Sequence, residues 1–112
     1  MKSRADVYLK FLRLTGVPPR ELEPLDSLEA RIADLVALTQ YKNEPLSVRE
    51  LMVHDELASP TTLHSRLKSM RRKGWLLLAD TADGRRKQLE LTPAALRHLA
   101  WLSECIVRAI EE

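Results

Sequence analysis

The side chains with the most evident chemistry in this chain are the lysines and arginines of its middle third. Residues 59–87 hold eight of these cations and only two carboxylates, which gives the segment a net charge of +6. The rest of the chain has 10 basic and 14 acidic residues, a net charge of −4, so the total of +2 conceals a polarised molecule. A cluster of one sign attracts ligands of the opposite sign, and the phosphate backbone of a nucleic acid is such a ligand.

Helix signals surround the first group of these cations. Ser59 is a favoured N-cap residue, Pro60 is tolerated in a first turn, and Gly74 is typical of the position after a helix end. The sequence therefore predicts a helix over 59–73. Its core-facing positions recur at helical spacing and are Leu63, Leu67 and Met70.

The outward face of this predicted helix is polar at its start and cationic at its end. Short hydrogen-bonding side chains suit the edges of bases in a major groove, and cations suit the phosphates beside it. The candidate base-reading residues are Ser59, Thr61, Thr62, His64, Ser65, Lys68 and Ser69. The candidate phosphate contacts are Arg71, Arg72 and Lys73. As an alternative, these three cations only complement the negative end of the helix dipole, and the two threonines only support the cap.

The second group of cations lies between two predicted strands. Residues 75–79 and 87–91 have the composition of strands, and Asp83-Gly84 between them is a common pair in tight hairpin turns. An arginine on such a wing can enter a narrow minor groove, where negative potential is concentrated. The alternative is a solvated tip whose charges serve solubility. The wing, residues 80–87, contributes the candidate residues Asp83, Arg85, Arg86 and Lys87.

Two further helices are predicted before the basic helix. Ser47 and Glu50 have the spacing of a capping box, which begins a short helix. A longer helix begins after a cap at Asp26 or Ser27 and ends near Tyr41. With the hairpin, this order is that of a winged helix-turn-helix DNA-binding domain, a mainly α fold with a small β-hairpin wing.

Three segments of this region resemble the MarR family of bacterial transcriptional regulators: TLHSRL at 62–67, KGWL at 73–76 and DGRRKQLELT at 83–92. The resemblance covers roughly residues 27–92. It implies a bacterial-type regulator in which Arg85 is the minor-groove residue and Asp83 orients a nearby arginine through a salt bridge. It also implies that residues 59–69 hold the base-reading positions. A small-molecule effector has no support in the sequence, because no convergent polar groups indicate a pocket for one.

The predicted organisation is one domain, 1–112, with a winged helix core, 27–92, between an N-terminal helix, 5–14, and a C-terminal helix, 93–111. The C-terminal helix is apolar around more than one stripe of its surface. Because a terminal helix needs only one apolar face for its own core, the excess predicts a second contact.

We expect that contact to be a symmetric homodimer, with the N-terminal helix taking part. Two copies would also suit two DNA half-sites about one helical turn apart. The alternative is a helix enclosed within one monomer. The candidate dimer interface contains Leu96, Leu99, Leu102, Ile106 and Ile110.

Enzymatic chemistry is not indicated. The glycines, at 16, 74 and 84, are too scattered for a phosphate-binding loop. His54, Asp55 and Glu56 are adjacent on a predicted turn, where side chains rarely converge on one metal ion, and Cys105 has no partner cysteine. We therefore expect no metal and no cofactor. The lack of an apolar run of roughly 20 residues argues against a membrane protein, and the single cysteine favours the cytoplasm.

These patterns together predict a homodimer that binds double-stranded DNA sequence-specifically. Residues 59–73 would lie in the major groove and residues 80–87 in the minor groove. Such a protein regulates transcription, most simply as a repressor. The alternative, from a different class, is a winged-helix module that binds a protein partner through its apolar terminal helices and does not bind DNA.

Overall fold

The computed structural model describes residues 4–81 and 86–112. The described residues are mainly helical, as the sequence predicts, and include a small three-stranded antiparallel sheet. No helix among them is both long enough and apolar enough to cross a bilayer. In chain order the elements are α1 (Arg4–Leu14), α2 (Ser27–Tyr41), β1 (Leu46–Ser47), α3 (Val48–Leu51), α4 (Pro60–Arg72), β2 (Leu76–Asp80), β3 (Lys87–Leu91) and α5 (Pro93–Glu111).

Local capping signals begin the helices where the sequence predicts them. Of the two candidate caps for α2, the structure selects Asp26, whose Oδ1 accepts a hydrogen bond of 2.8 Å from the Glu29 N–H. The capping box of α3 is formed by Ser47 and Glu50, at 3.0 and 3.2 Å. The hydroxyl of Ser59 caps α4, and Pro60 occupies its first turn.

The sheet has the strand order β1-β3-β2, and its third strand was not predicted. In the hairpin, Leu76 pairs with Leu91. On the other edge of β3, Leu46 pairs with Leu89 and Ser47 with Gln88. β1 has only two residues, which is too short to leave a period-2 pattern in the sequence. Its pairing nevertheless places the first residues of α3 beside the first residues of β3.

The core lies between α2, α3, α4 and the inner face of the sheet. The predicted inward positions of α4 are confirmed, since Leu63, Leu67 and Met70 are 0–5% exposed. Each fully buried side chain of this size contributes about 1.5–3 kcal/mol of transfer free energy. These residues therefore fix which face of α4 is presented to solvent. They pack with Ile32, Val36, Leu46, Leu51, Leu76, Leu89, Leu91 and Ala95.

The end of α4 is tied to the start of α5. Gly74 has a φ of +90°, in the region that favours glycine, as expected of the residue after a helix end. The Trp75 N–H returns to the Met70 carbonyl at 3.0 Å, so strand β2 starts at Leu76, one residue later than predicted. Thr92 closes the junction, because its Oγ1 donates to the Gly74 carbonyl at 2.6 Å and its N–H to the Trp75 carbonyl at 3.1 Å.

A buried ion pair joins α4 to α2. Lys73 Nζ lies 2.6 Å from Oε1 of Glu29, whose side chain is 1% exposed, and the lysine side chain is 17% exposed. Burial alone would raise the pKa of the Glu29 carboxyl. Hydrogen bonds from Lys73 and from the Asp26 N–H outweigh burial and lower that pKa below its usual value. The ionised Glu29 carboxylate therefore contributes to the free energy of unfolding in full above the unfolded-state pKa of about 4.3. This contribution is lost as the pH falls through the folded-state pKa.

His98 sits between two tryptophan rings. Its ring centroid lies 5.0 Å from that of Trp75, at 73°, and 5.4 Å from that of Trp101. Burial lowers the pKa of this imidazole below 6.5, since the charged form loses solvation. The unfolded chain therefore binds the proton more readily. Stability is complete above pH 6.5 and declines as the pH falls toward the lower, folded-state pKa.

The first prediction concerns the buried ion pair. Lys73→Met leaves the Glu29 carboxylate buried without its cation, which should lower the free energy of unfolding by about 3 kcal/mol. Lys68→Met is the matched control, because Lys68 is an exposed lysine of the same helix, and it should change stability by less than about 0.5 kcal/mol. Urea unfolding at neutral pH measures both. Equal midpoints for the two variants would contradict the pair's role, whereas the double variant Glu29→Gln/Lys73→Met should recover part of the loss.

The second prediction concerns His98. Wild type should lose stability between pH 7.5 and pH 5.5, values chosen as about one unit on either side of the ordinary histidine pKa. His98→Phe keeps an aromatic ring between the tryptophans but cannot bind a proton, so its loss over the same interval should be smaller. Urea midpoints of each protein at both pH values give the comparison. Equal losses would show that protonation of His98 does not couple to folding.

Candidate nucleic-acid interface

The solvent face of α4 carries most of the residues predicted to read bases. Thr61, His64, Ser65 and Lys68 are exposed. Ser59 and Thr62 lie at the same end of the helix but are engaged in its cap. The Ser59 hydroxyl accepts the Thr62 N–H at 3.3 Å and donates to the Thr62 Oγ1 at 3.1 Å. His64 and Ser65, at the middle of this face, are exposed and take no part in the cap.

A concave surface, here called the front groove, runs from this face of α4 to the start of α3 and the sheet. Its upper part has a volume of about 400 Å³ and its lower part about 540 Å³. The two parts share Val48, His64 and Leu78, so they form one continuous depression. The upper part also contains Ser65, Leu67, Lys68 and Arg71. The lower part also contains Ser47, Arg49, Met52, Arg86 and Lys87.

Most cations of the front groove form no ion pair with another described residue. Among the described residues, no carboxylate forms an ion pair with Lys68, Arg71, Arg49 or Arg86. Lys87 pairs with Asp80 at the surface, where such pairs are worth at most about 1 kcal/mol and exchange readily with another anion. The groove therefore presents positively charged side chains around a partly apolar floor.

Two residues from the predicted interface lie elsewhere. Lys73 was predicted to contact phosphate, but its ammonium group is held by Glu29 inside the fold, and we remove it from the interface. Ser69 is half-buried, and its hydroxyl helps to lower the pKa of the same carboxyl group. Arg71 and Arg72, which precede Lys73 on α4, remain exposed. The physical reason is the helical phase, which turns the end of α4 so that Lys73 faces α2.

The wing is described only at its base. Arg86 and Lys87 are exposed there, where β3 begins. Asp83 and Arg85 lie outside the described residues, so their predicted roles remain predictions.

Arg49 lines the front groove although the sequence did not predict it as a contact residue. It lies in the first turn of α3, is exposed, and lines the lower part of the front groove with Arg86. Arg49 and Arg86 line the same part of the groove because β1 pairs with β3. A single arginine after a capping box has no local pattern that distinguishes it from any solvated residue. Only the β1–β3 pairing, between residues more than 40 positions apart, could have identified it.

A second distinctive surface lies at the terminal helices and is here called the terminal-helix surface. No residue of α1 is fully buried, and an apolar groove of about 640 Å³ runs between α1 and α5. Leu102, predicted at the dimer interface, is instead half-buried in a small cavity against α2. The large apolar residues exposed on this surface are Tyr8, Leu9, Leu12, Leu96, Leu99, Ile106, Val107 and Ile110.

No metal centre is formed by the residues that the structure describes, since no three of their His, Cys, Asp or Glu side chains converge. In the turn before α4, His54 Nδ1 lies 2.7 Å from Glu56 Oε1, so these two side chains engage each other. Comparisons of the chain with protein-family models, with curated proteins and with solved structures found no match.

Proposed function

We propose that this chain binds double-stranded DNA sequence-specifically and acts as a homodimeric transcriptional regulator. The observation that carries the proposal is the front groove. It combines exposed hydrogen-bonding side chains on α4 with cations of which three, Lys68, Arg71 and Arg49, form no ion pair with a carboxylate among the described residues. Cations that line one groove repel one another, so their proximity is explained best by an anionic ligand.

The order of the elements supports this proposal. A helix, a short strand, two helices and a β-hairpin follow one another from α2 to β3, which is the order of a winged helix-turn-helix domain. In that arrangement α4 is the helix that enters the major groove. The resemblance of residues 62–92 to MarR-type regulators favours the same assignment, with a repressor as the simplest mode of action.

The exposed face of α4 has hydrogen-bonding side chains in its early turns and cations in its later turns, an arrangement that suits a duplex. His64 and Ser65 offer short donors and acceptors for base edges. Lys68, Arg71 and Arg72 follow in the later turns, where cations would meet the phosphates that flank the major groove. The wing, residues 80–87, would reach the adjacent minor groove with Arg85.

The terminal-helix surface supports dimerisation. Ile106 and Ile110 are 49% and 66% exposed on α5, and Tyr8 and Leu9 are each 60% exposed on α1. No residue of α1 is fully buried, and a second copy would cover the apolar residues that it exposes. The interface that we propose contains Leu96, Leu99, Ile106 and Ile110 on α5 with Tyr8, Leu9 and Leu12 on α1.

The same surface favours one rival function, a module that binds a different protein through α1 and α5 and does not bind DNA. That function would leave the cations of the front groove without a role. We therefore place DNA binding first.

The third prediction tests DNA binding. A duplex selected from a random pool should bind with an affinity that falls steeply as salt rises, because each neutralised phosphate adds about 0.9 to the slope of log K against log salt. Arg71→Ala should weaken binding about tenfold, as expected for the loss of one charged hydrogen bond. Arg31→Ala is the control, since Arg31 is exposed on α2 outside the front groove. Fluorescence anisotropy titrations measure the DNA affinity of wild type and of both variants.

The result that would refute the proposal is no enrichment in the selection, together with no salt-dependent binding by wild type. A stable complex with another protein under those conditions would favour the rival function.

The fourth prediction tests the dimer. Ile110→Glu places a charge on the terminal-helix surface and should convert a dimer to a monomer in light scattering, because burial of an unpaired carboxylate is strongly unfavourable. Leu38→Glu is the matched control, since Leu38 is a similarly exposed aliphatic residue on α2, at 57% against 66%. It should leave the mass unchanged. A monomeric wild type, or equal masses for both variants, would exclude the proposed interface.

A further inference from the structure

We propose that the lower part of the front groove binds one sugar–phosphate strand, with Arg49 as a phosphate contact. The proposal rests on the proposed function and assigns it a second contact region, separate from the outward face of α4. The contacts predicted from the sequence lie only on the predicted helix and on the wing.

The backbone brings the two arginines of this site together. β1 pairs with β3 so that Ser47 lies opposite Gln88. Because the strands are antiparallel, the chain that follows Ser47 runs beside the chain that precedes Gln88. Arg49 therefore reaches the same depression as Arg86, and both line it.

Arg49 is carried by a firmly held element although α3 has only four residues. The capping box formed by Ser47 and Glu50 closes its first turn. Leu51, at the other end, is 0% exposed and anchors the helix in the core. The charge of Arg86 contributes to lowering the pKa of the Glu50 carboxyl, after the larger contributions of the hydrogen bonds from Ser47. The guanidinium of Arg49 is thus presented from a fixed backbone.

The lining of the lower groove matches the alternation of apolar and anionic groups in a nucleic acid strand. Its floor is made by Val48, Met52 and Leu78, which are half-buried. Arg49 and Arg86 stand at its edge and are exposed. A deoxyribose can pack on the apolar floor while its phosphate oxygens accept hydrogen bonds from a guanidinium group, whose planar fork suits them.

Continuity with the upper groove distinguishes a strand from a small anion. His64 and Leu78 line both parts, so a ligand in the lower groove continues onto the face of α4. A backbone leaving the major groove beside α4 would follow this path toward the hairpin. Contacts of this kind fix the register of the protein on the duplex but do not read its sequence.

Arg49→Ala should therefore reduce affinity about tenfold for the selected duplex and by the same factor for a scrambled duplex. The slope of log K against log salt should also fall by about 0.9, the value for one phosphate contact. Arg31→Ala should leave the affinity and the slope unchanged. Unchanged urea midpoints for both variants ensure that a loss of binding is not a loss of folding.

Duplexes with a single phosphate neutralised as a methylphosphonate locate the contact. One such position should weaken wild type and Arg31→Ala about tenfold but leave Arg49→Ala unaffected, since that variant has already lost the contact.

Three results would overturn the inference. If wild type binds DNA but Arg49→Ala keeps the full salt slope, the lower groove holds no phosphate while the proposed function stands. If Arg49→Ala loses affinity only for the selected sequence, Arg49 reads a base instead. If wild type binds no duplex, the proposed function fails and the inference fails with it.

Discussion

The orientation of α4 is the constraint on which the rest of the structure depends. Three buried side chains, Leu63, Leu67 and Met70, hold one face of this helix against the core. The ion pairs Arg66–Asp26, at 2.9 Å, and Lys73–Glu29, at 2.6 Å, tie it to the start of α2. Since side chains on a helix keep fixed angular relations, this attachment also decides which cations face solvent. The cations that α4 contributes to the front groove, Lys68 and Arg71, thus face solvent because the opposite face of the helix is buried.

Glu29 shows how one carboxylate supports two elements. It completes the capping box of α2 by accepting a hydrogen bond from the Asp26 N–H. It also accepts a hydrogen bond from the ammonium group of Lys73. Because it is almost fully buried, neither contact is screened by solvent as a surface pair would be. Loss of the Glu29 carboxylate would therefore remove contacts at the beginning of α2 and at the end of α4 together.

The sequence predicted those features that have a local cause. The capping box at Ser47, the cap at Ser59 and the helix end before Gly74 each depend on neighbouring residues, and each was found where it was predicted. The inward turn of Lys73 was missed because its partner is 44 residues away. β1 and, with it, Arg49 were missed for the same reason.

Local patterns therefore identified the helix that carries five of the twelve residues lining the front groove, and long-range pairing supplied the others. The outward positions of α4 follow from the spacing of its apolar residues, and His64, Ser65 and Lys68 were placed correctly on that basis. Leu102 was misplaced because periodicity alone does not say which of two apolar faces of α5 meets α2. Such choices depend on the packing of whole elements.

The connection between α4 and α5 couples the position of the proposed dimer interface to the position of α4. Thr92, at the start of α5, is bonded through its side chain to Gly74 and through its N–H to Trp75, directly after α4 ends. Trp75 Nε1 in turn donates to the Glu23 carbonyl at 2.7 Å, which adds the loop before α2 to the same junction. Within the described residues, these hydrogen bonds join the start of the helix proposed to dimerise to the end of the helix proposed to bind DNA. The distance between two copies of α4 would then be set by rigid packing, and half-sites at roughly 34 Å would be selected by geometry as well as by base contacts.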